Sequence, residues 1–267
     1  MAYEAVIYEK KGPIAYITMN RPQAMNALNM RMADELGEVW ADFKQDKELL
    51  VAVMTGAGDR AFSVGVDLKE VTEYNARGED FPLFRKGVRA EGWTFIPFHH
   101  RIWKPIIVAV NGICLGAGFH WVADADIVIA SENATFFDTH VNAGQVAALE
   151  PIALCRKIPL NIVLQMFLMG NHYRMDARRA YEVGLVNQVV PLAELMSTAT
   201  RMAEAIASNS PLAVSLTKEA TWRGLDHGLD KALELGWHII ADSWGEWDQV
   251  EGPRAFSEKR PPQWKGR

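Results

Sequence analysis

Between Lys104 and Gly144 the chain reads K-P-I-I-V-A-V-N-G-I-C-L-G-A-G-F-H-W-V-A-D-A-D-I-V-I-A-S-E-N-A-T-F-F-D-T-H-V-N-A-G. Ile106–Val110 is an apolar run of strand length closed by the turn pair Asn111-Gly112, and Ile127–Ala130 is a second such run. Between them Gly116, Ala117 and Gly118 stand where a helix begins. Small residues there let a ligand approach the backbone closely, and the free N–H groups of a helix start attract negative charge. His120 and His140, twenty residues apart, flank the second run.

The rest of the chain supplies alternating strands and helices. Residues 5–10 and 13–19 are β-branched and aromatic around Lys11-Gly12, which predicts a hairpin. Asn29 is a suitable N-cap for a helix carrying Met32, Leu36, Val39, Trp40 and Phe43 at helical spacing. Leu50–Thr55 reads as a strand, residues 72–82 as an irregular polar flap, and Phe84–Trp103 as a helix bearing Trp93, Phe95, His99 and His100. Pro159–Met169 reads as a helix, Asp176 as the cap of a short helix ending at Gly184, and Leu185–Val190 as a strand. From Pro191 the pattern is helical, near 191–207, 211–222 and 226–247, before a basic, proline-bearing tail. This alternation predicts an α/β core over residues 1–190 and a helical region over 191–267.

Composition narrows the class. A chain of 267 residues, 49% hydrophobic and 23% charged, can bury a large core, and a net charge of −5 argues against general nucleic-acid binding. The two cysteines, Cys114 and Cys155, lie in apolar surroundings without the C-x-x-C spacing and read as reduced core thiols. The N-terminus lacks a signal-peptide pattern and no uncharged run reaches ~18 apolar residues, so a cytoplasmic protein without membrane contact is expected. The glycine-bearing loop after Thr55 matches neither phosphate-loop fingerprint, and that reading is rejected.

Four stretches, N-R-P-Q-A-M-N-A-L (from Asn20), A-F-S-V-G-V-D-L-K-E (from Ala61), K-P-I-I-V-A-V-N-G-I-C-L-G-A-G and A-D-I-V-I-A-S-E-N-A-T-F, in this order, resemble the crotonase superfamily, the enoyl-CoA hydratase/isomerase family. G-L-V-N-Q-V-V and the tail E-G-P-R-A-F-S-E-K-R-P-P-Q-W-K-G fit as well, so the likeness runs from about Val6 to Lys265. It implies a spiral of β-β-α units, a C-terminal helical trimerisation domain giving a homotrimer or a dimer of trimers, and an acyl-CoA thioester as substrate. No separate cofactor is implied, since coenzyme A arrives as part of that substrate. It also implies an oxyanion hole formed by the main-chain N–H groups of Val66 and Ala117. Coenzyme A contacts are implied for Ala24, Met25, Leu28, Val64, Gly65, Asp67, Leu68 and Gly116, and for Phe256 and Lys259 in the tail of the same or a neighbouring subunit.

One departure stands out. Hydratases of this family carry a glutamate two residues after the G-x-G and another twenty residues on; here those positions are His120 and His140. Imidazoles titrate near neutrality and can relay protons, and two of them make a neutral or cationic pair suited to an anionic substrate or intermediate. The bland reading is a pair of core histidines with satisfied hydrogen bonds. Glu150, ten residues after His140, is a possible additional acid or base. Asp138 reads as a loop carboxylate facing water, with orientation of His140 as its other reading. A zinc site would need three or four ligands, and none is expected. His99 and His100 could line an acyl pocket, and Trp237 and His238 read as packing residues. The expected activity is acyl-CoA processing through a stabilised thioester enolate with His120 and His140 as acid/base pair. The alternatives are C–C bond hydrolysis of a β-diketone or β-ketoacyl-CoA, and a non-catalytic acyl-CoA-binding protein.

Overall fold

The computed structural model describes residues 3–84 and 92–267. The chain opens with an antiparallel hairpin, β1 (Val6–Lys11) and β2 (Ile14–Met19), turned at Gly12 in the left-handed region. Helix α1 (Met30–Gln45) follows, its first turn capped by Asn29, whose side chain accepts from Met32 N at 3.0 Å. Then one unit recurs three times: β3 (Val51–Gly56), β4 (Ala61–Ser63) and α2 (Leu68–Ala76); β5 (Ile106–Val110), β6 (Ile113–Leu115) and α3 (Gly118–Asp124); β7 (Ile127–Ser131), β8 (Thr135–Phe137) and α4 (Leu149–Leu154).

Successive units stack in parallel register. The first strands join a six-stranded sheet in the order β1-β2-β3-β5-β7-β10, and the second strands join a four-stranded sheet in the order β4-β6-β8-β9. Strands β9 (Met175–Asp176) and β10 (Gln188–Val190) come after α5 (Leu160–Met169) and enclose α6 (Ala177–Glu182), which Asp176 caps. The strands β3, β5 and β7 are buried on both faces, which is why they read as continuous apolar runs rather than alternating ones. One face meets the main core with Trp40, Phe43 and Trp121. The other is covered by α7 (Leu195–Ala207) through Leu195, Ala199 and Ala203. Helices α8 (Pro211–Gly224), α9 (Leu229–Asp242) and α10 (Trp247–Ser257) complete the chain.

The turn between β5 and β6 sits on the equivalent turn of the preceding unit. A Cβ on Gly112 would lie 2.4 Å from Arg60 O, so only glycine fits there. Asn111 accepts from Gly56 N at 3.2 Å and donates to Gly58 O at 2.8 Å, tying the two turns together.

Three sequence expectations need correction. Helix α2 runs to Ala76, so part of the supposed flap at 72–82 is helical, with Asp67 capping its start. The helix expected over 84–103 is absent where the structure describes that segment: residues 92–103 carry no α-helix and include a 3-10 turn at Pro97–His100, and 85–91 lie outside the described residues. Proline at 97 removes a donor and disfavours helix at the residue before it. The Phe95 carbonyl is taken instead by the indoles of Trp40 and Trp121, at 3.1 and 3.0 Å. Cys155, expected in the core, is exposed, whereas Cys114 is buried. The basic tail is tied down on α10. Arg260 pairs with the buried Glu251, and Asp248 accepts from the main chain of Lys265 and Gly266. No helix among the described residues is long and apolar enough to cross a membrane.

Glu35 on α1 is buried and accepts from the main-chain N–H groups of Glu4, Ala5 and Val6 at 3.0, 2.8 and 3.0 Å. Replacing it by alanine strands these donors, so Glu35→Ala is expected to lower stability by about 2–3 kcal/mol in denaturant unfolding. A loss below about 0.5 kcal/mol would show that water or a shifted chain satisfies the donors instead.

Candidate active site

Because β4 and β6 are neighbours, the loops that follow them meet. Gly65 and Gly116 both have positive φ, +78° and +52°, and a Cβ on Gly65 would approach Ala117 N to 3.1 Å. A side chain at either position would be strained and would fill the gap between the loops. The N–H groups of Val66 and Ala117 have no main-chain acceptor among the described residues, while the flanking groups are paired: Leu28 N donates to Gly65 O at 2.7 Å and Asp67 N to Leu28 O at 2.9 Å. Both free amides belong to residues lining a cavity of about 400 Å³.

Val64, Gly65, Val66, Leu68, Gly116, Ala117, His120, His140 and Glu150 all line this cavity. Thr139, Gln145, Val146 and Leu149 line it too, as does a wall of Leu83, Phe84, Trp93 and Phe95. Sequence reasoning did not place these residues; only the aromatic content of the segment before Trp103 hinted at the wall. Trp93 stacks on Phe95 at 5.8 Å, and both rings meet His120 edge-on. The indole Nε1 of Trp93 is the buried side-chain polar atom left without a partner among the described residues.

Other expected site residues lie elsewhere. Ala24 ends a short 3-10 turn, Met25 follows it in the left-handed region, and Leu28 is buried with its main chain paired to the Gly65 loop. Asp67 caps α2 and forms an ion pair with Arg21 at 2.8 Å. Phe256, 88% exposed on α10, and Lys259 just beyond it are not part of the cavity wall. His99 and His100 do not line it either: His99 Nδ1 contacts Trp93 O at 3.1 Å and His100 Nε2 contacts Thr94 O at 2.6 Å.

The two imidazoles are each backed by a carboxylate. His120, 5% exposed on α3, places Nε2 at 3.1 Å from Oε1 of Glu150, itself 7% exposed at the start of α4. His140 donates from Nδ1 to both oxygens of Asp138, at 2.6 and 2.8 Å, and its main-chain N donates to the same carboxylate at 3.1 Å. Asp138 is wholly buried, which corrects the expectation of a loop carboxylate facing water. Each ring faces a buried carboxylate, so the imidazole pair does not stand alone at the cavity.

The hydrogen bond to Asp138 raises the His140 pKa; burial opposes it, and the charges of Asp138 and Glu150 reinforce it. Burial pushes Glu150 up, but its hydrogen bond to His120 and the nearby imidazole charges bring it below the ordinary carboxylate value. The arrangement joins two amides able to hold a developing oxyanion to two imidazoles able to give and take protons. No group of three or more His, Cys, Asp or Glu among the described residues is disposed to hold a metal.

Known proteins share this architecture along its whole length. The family model described as enoyl-CoA hydratase/isomerase matches residues 9–267. The chain is 37% identical to the (E)-benzylidenesuccinyl-CoA hydratase of Thauera aromatica, over 98% of this chain and 99% of that protein. It is 36% identical to the short-chain-enoyl-CoA hydratase of Clostridium acetobutylicum, over 97% of each. The crystal structure of an enoyl-CoA hydratase/isomerase from Mycobacterium paratuberculosis superposes with a TM-score of 0.89 at 40% identity, covering 100% of both chains. With its β-β-α units and C-terminal helices matched from end to end, this chain belongs to the enoyl-CoA hydratase/isomerase family of the crotonase superfamily.

Proposed function

We propose that the cavity takes the acyl group of a coenzyme A thioester and adds water reversibly across its α,β double bond. The observation that carries this reading is the meeting, on one cavity, of the unpaired Val66 and Ala117 amides with the two carboxylate-backed imidazoles. The thioester oxygen accepts from both amides. When water attacks the β-carbon, the π pair moves towards the carbonyl and the oxygen gains negative charge. Preorganised donors of this kind stabilise such an oxyanion by about 3–4 kcal/mol each. One imidazole removes the water proton and the other delivers a proton to the α-carbon, so that H and OH are added overall.

In this reading His120 and His140 occupy the places of the family's two glutamates. Carboxylate chemistry is not lost: Asp138 stands behind the His140 ring, and Glu150 lines the cavity beside His120. The names of the two curated relatives support the reaction class, since both are hydratases of CoA thioesters. The apolar wall of Leu83, Phe84, Trp93 and Phe95 supports an acyl group bulkier than crotonyl. The remainder of coenzyme A runs over the Ala24–Leu28 loop and Asp67, with Phe256 and Lys259 contributed by a neighbouring subunit. Trimer formation is supported by the apolar face of α9, where Leu229, Leu233, Trp237 and Ile240 are exposed, continued just past its end by the exposed Trp244.

A panel of 2-enoyl-CoA thioesters, assayed at neutral pH by loss of enoyl-thioester absorbance with products identified by mass spectrometry, tests the reaction. Hydrated products are expected, with longer or ring-bearing acyl groups turned over faster than crotonyl-CoA. Cleavage of β-ketoacyl thioesters without hydration would replace this reading by C–C hydrolysis, and binding without turnover by a non-catalytic role. His120→Ala and His140→Ala are each expected to lower kcat by about 10²-fold or more while retaining thioester binding by calorimetry. Unchanged turnover in either variant contradicts the assigned chemistry.

Gly65→Ala strains the loop and presses on Ala117 N. It is expected to lower kcat/KM by about 10²-fold through the lost donor geometry, with the fold retained by circular dichroism. Wild-type kinetics in this variant would remove the two amides from the mechanism.

A further inference from the structure

The two imidazole–carboxylate couples are not equivalent. Asp138 and His140 lie two residues apart on one loop, and the carboxylate grips its neighbour at three points: twice at ring Nδ1 and once at the main-chain N. Asp138 is 0% exposed and has no lysine or arginine partner among the described residues, so its charge is met by His140. A buried carboxylate left unpaired is costly, which favours a proton on its imidazole partner. With Nδ1 committed, Nε2 is the nitrogen left for the cavity, and the adjoining Cε1 lies 3.7 Å from where a Gly116 Cβ would stand. His120 instead spends Nε2 on a single Glu150 oxygen at the longer distance of 3.1 Å, leaving Nδ1 for the cavity. The titratable groups facing His140 are Asp138 from its own loop and Glu150 from α4, with His120 of α3 on the same cavity.

We infer that Asp138 is a positioning residue that fixes His140 with Nδ1–H towards the carboxylate and makes His140 the proton donor of the pair, leaving His120 on Glu150 as the base. The assignment of donor and base rests on the hydration reading of the cavity; the state of His140 does not. In the forward step the free Nδ1 of His120 takes a proton from water, and the water oxygen bonds to the β-carbon. The π pair shifts towards the thioester, and the imidazolium of His140 passes its Nε2 proton to the α-carbon. Solvent exchange then returns one proton from His120 to His140, and the site is restored. The upward shift of the His140 pKa agrees with this division of labour.

The first test needs no substrate. Nitrogen-15 NMR of the wild-type protein across pH is expected to show His140 titrating above an ordinary histidine and, once neutral, carrying its proton on Nδ1. Titration at or below the ordinary value, or the Nε2–H tautomer, overturns the proposal whichever thioester is turned over. The second test is Asp138→Asn. Its His140 titration is expected to fall, and the alkaline limb of kcat/KM to move to lower pH with it, because the donor loses its proton sooner. A drop in kcat of tenfold or more is expected, with partial recovery in Asp138→Glu. A slower Asp138→Asn enzyme whose alkaline limb stays in place would reduce Asp138 to a structural role. Absence of turnover on every enoyl thioester, with the NMR result as expected, removes the hydration reading while leaving the positioning intact.

Discussion

The close passage of two loops governs this molecule. Gly65 and Gly116, each in a left-handed conformation, bring the chain segments after β4 and β6 within van der Waals contact, so that Ala117 N lies beside Gly65. That contact exists because β4 and β6 are parallel neighbours, and they are neighbours because β3 and β5 are. The register of the large sheet therefore sets the position of two main-chain amides, using atoms common to every residue. Side-chain identity enters mainly by exclusion, since a Cβ at Gly65 or Gly112 would push the units apart.

Charge in the cavity follows a different logic. Two imidazoles and two buried carboxylates meet at the cavity, and each ring is held by one carboxylate. Burial alone raises a carboxyl pKa and depresses an imidazole pKa; pairing reverses both tendencies. The outcome at Glu150 and His140 shows pairing prevailing over burial. His140 stands between Asp138 and the cavity, whereas Glu150 lines the cavity beside His120.

Much of the frame was legible because it depends on local or periodic signals. The Asn29 and Asp176 caps, the hairpin at Gly12 and the apolar runs of β3, β5 and β7 follow from residue type and spacing. The expected helix over 84–103 fails where the segment is described, at 92–103, because aromatic content looked helical, whereas Pro97 and the two indoles bonded to Phe95 O decide that stretch. Asp138 was misjudged because a loop carboxylate is ordinarily solvated. Its two-residue spacing from His140 was visible, but its complete burial was not.

The sequence by itself determined the strand–helix alternation, the glycines that permit the tight corners, and the presence of histidine at positions 120 and 140. Only the tertiary structure decided that Glu150 reaches His120 across thirty residues and that Phe95, Trp93 and His120 share a wall. It also decided that Ala24, Phe256 and Lys259 stand outside the cavity of a single chain. The physical reason is that backbone preference is set by each residue and its near neighbours. Burial and pairing of charge depend on which distant surfaces the sheet register brings together.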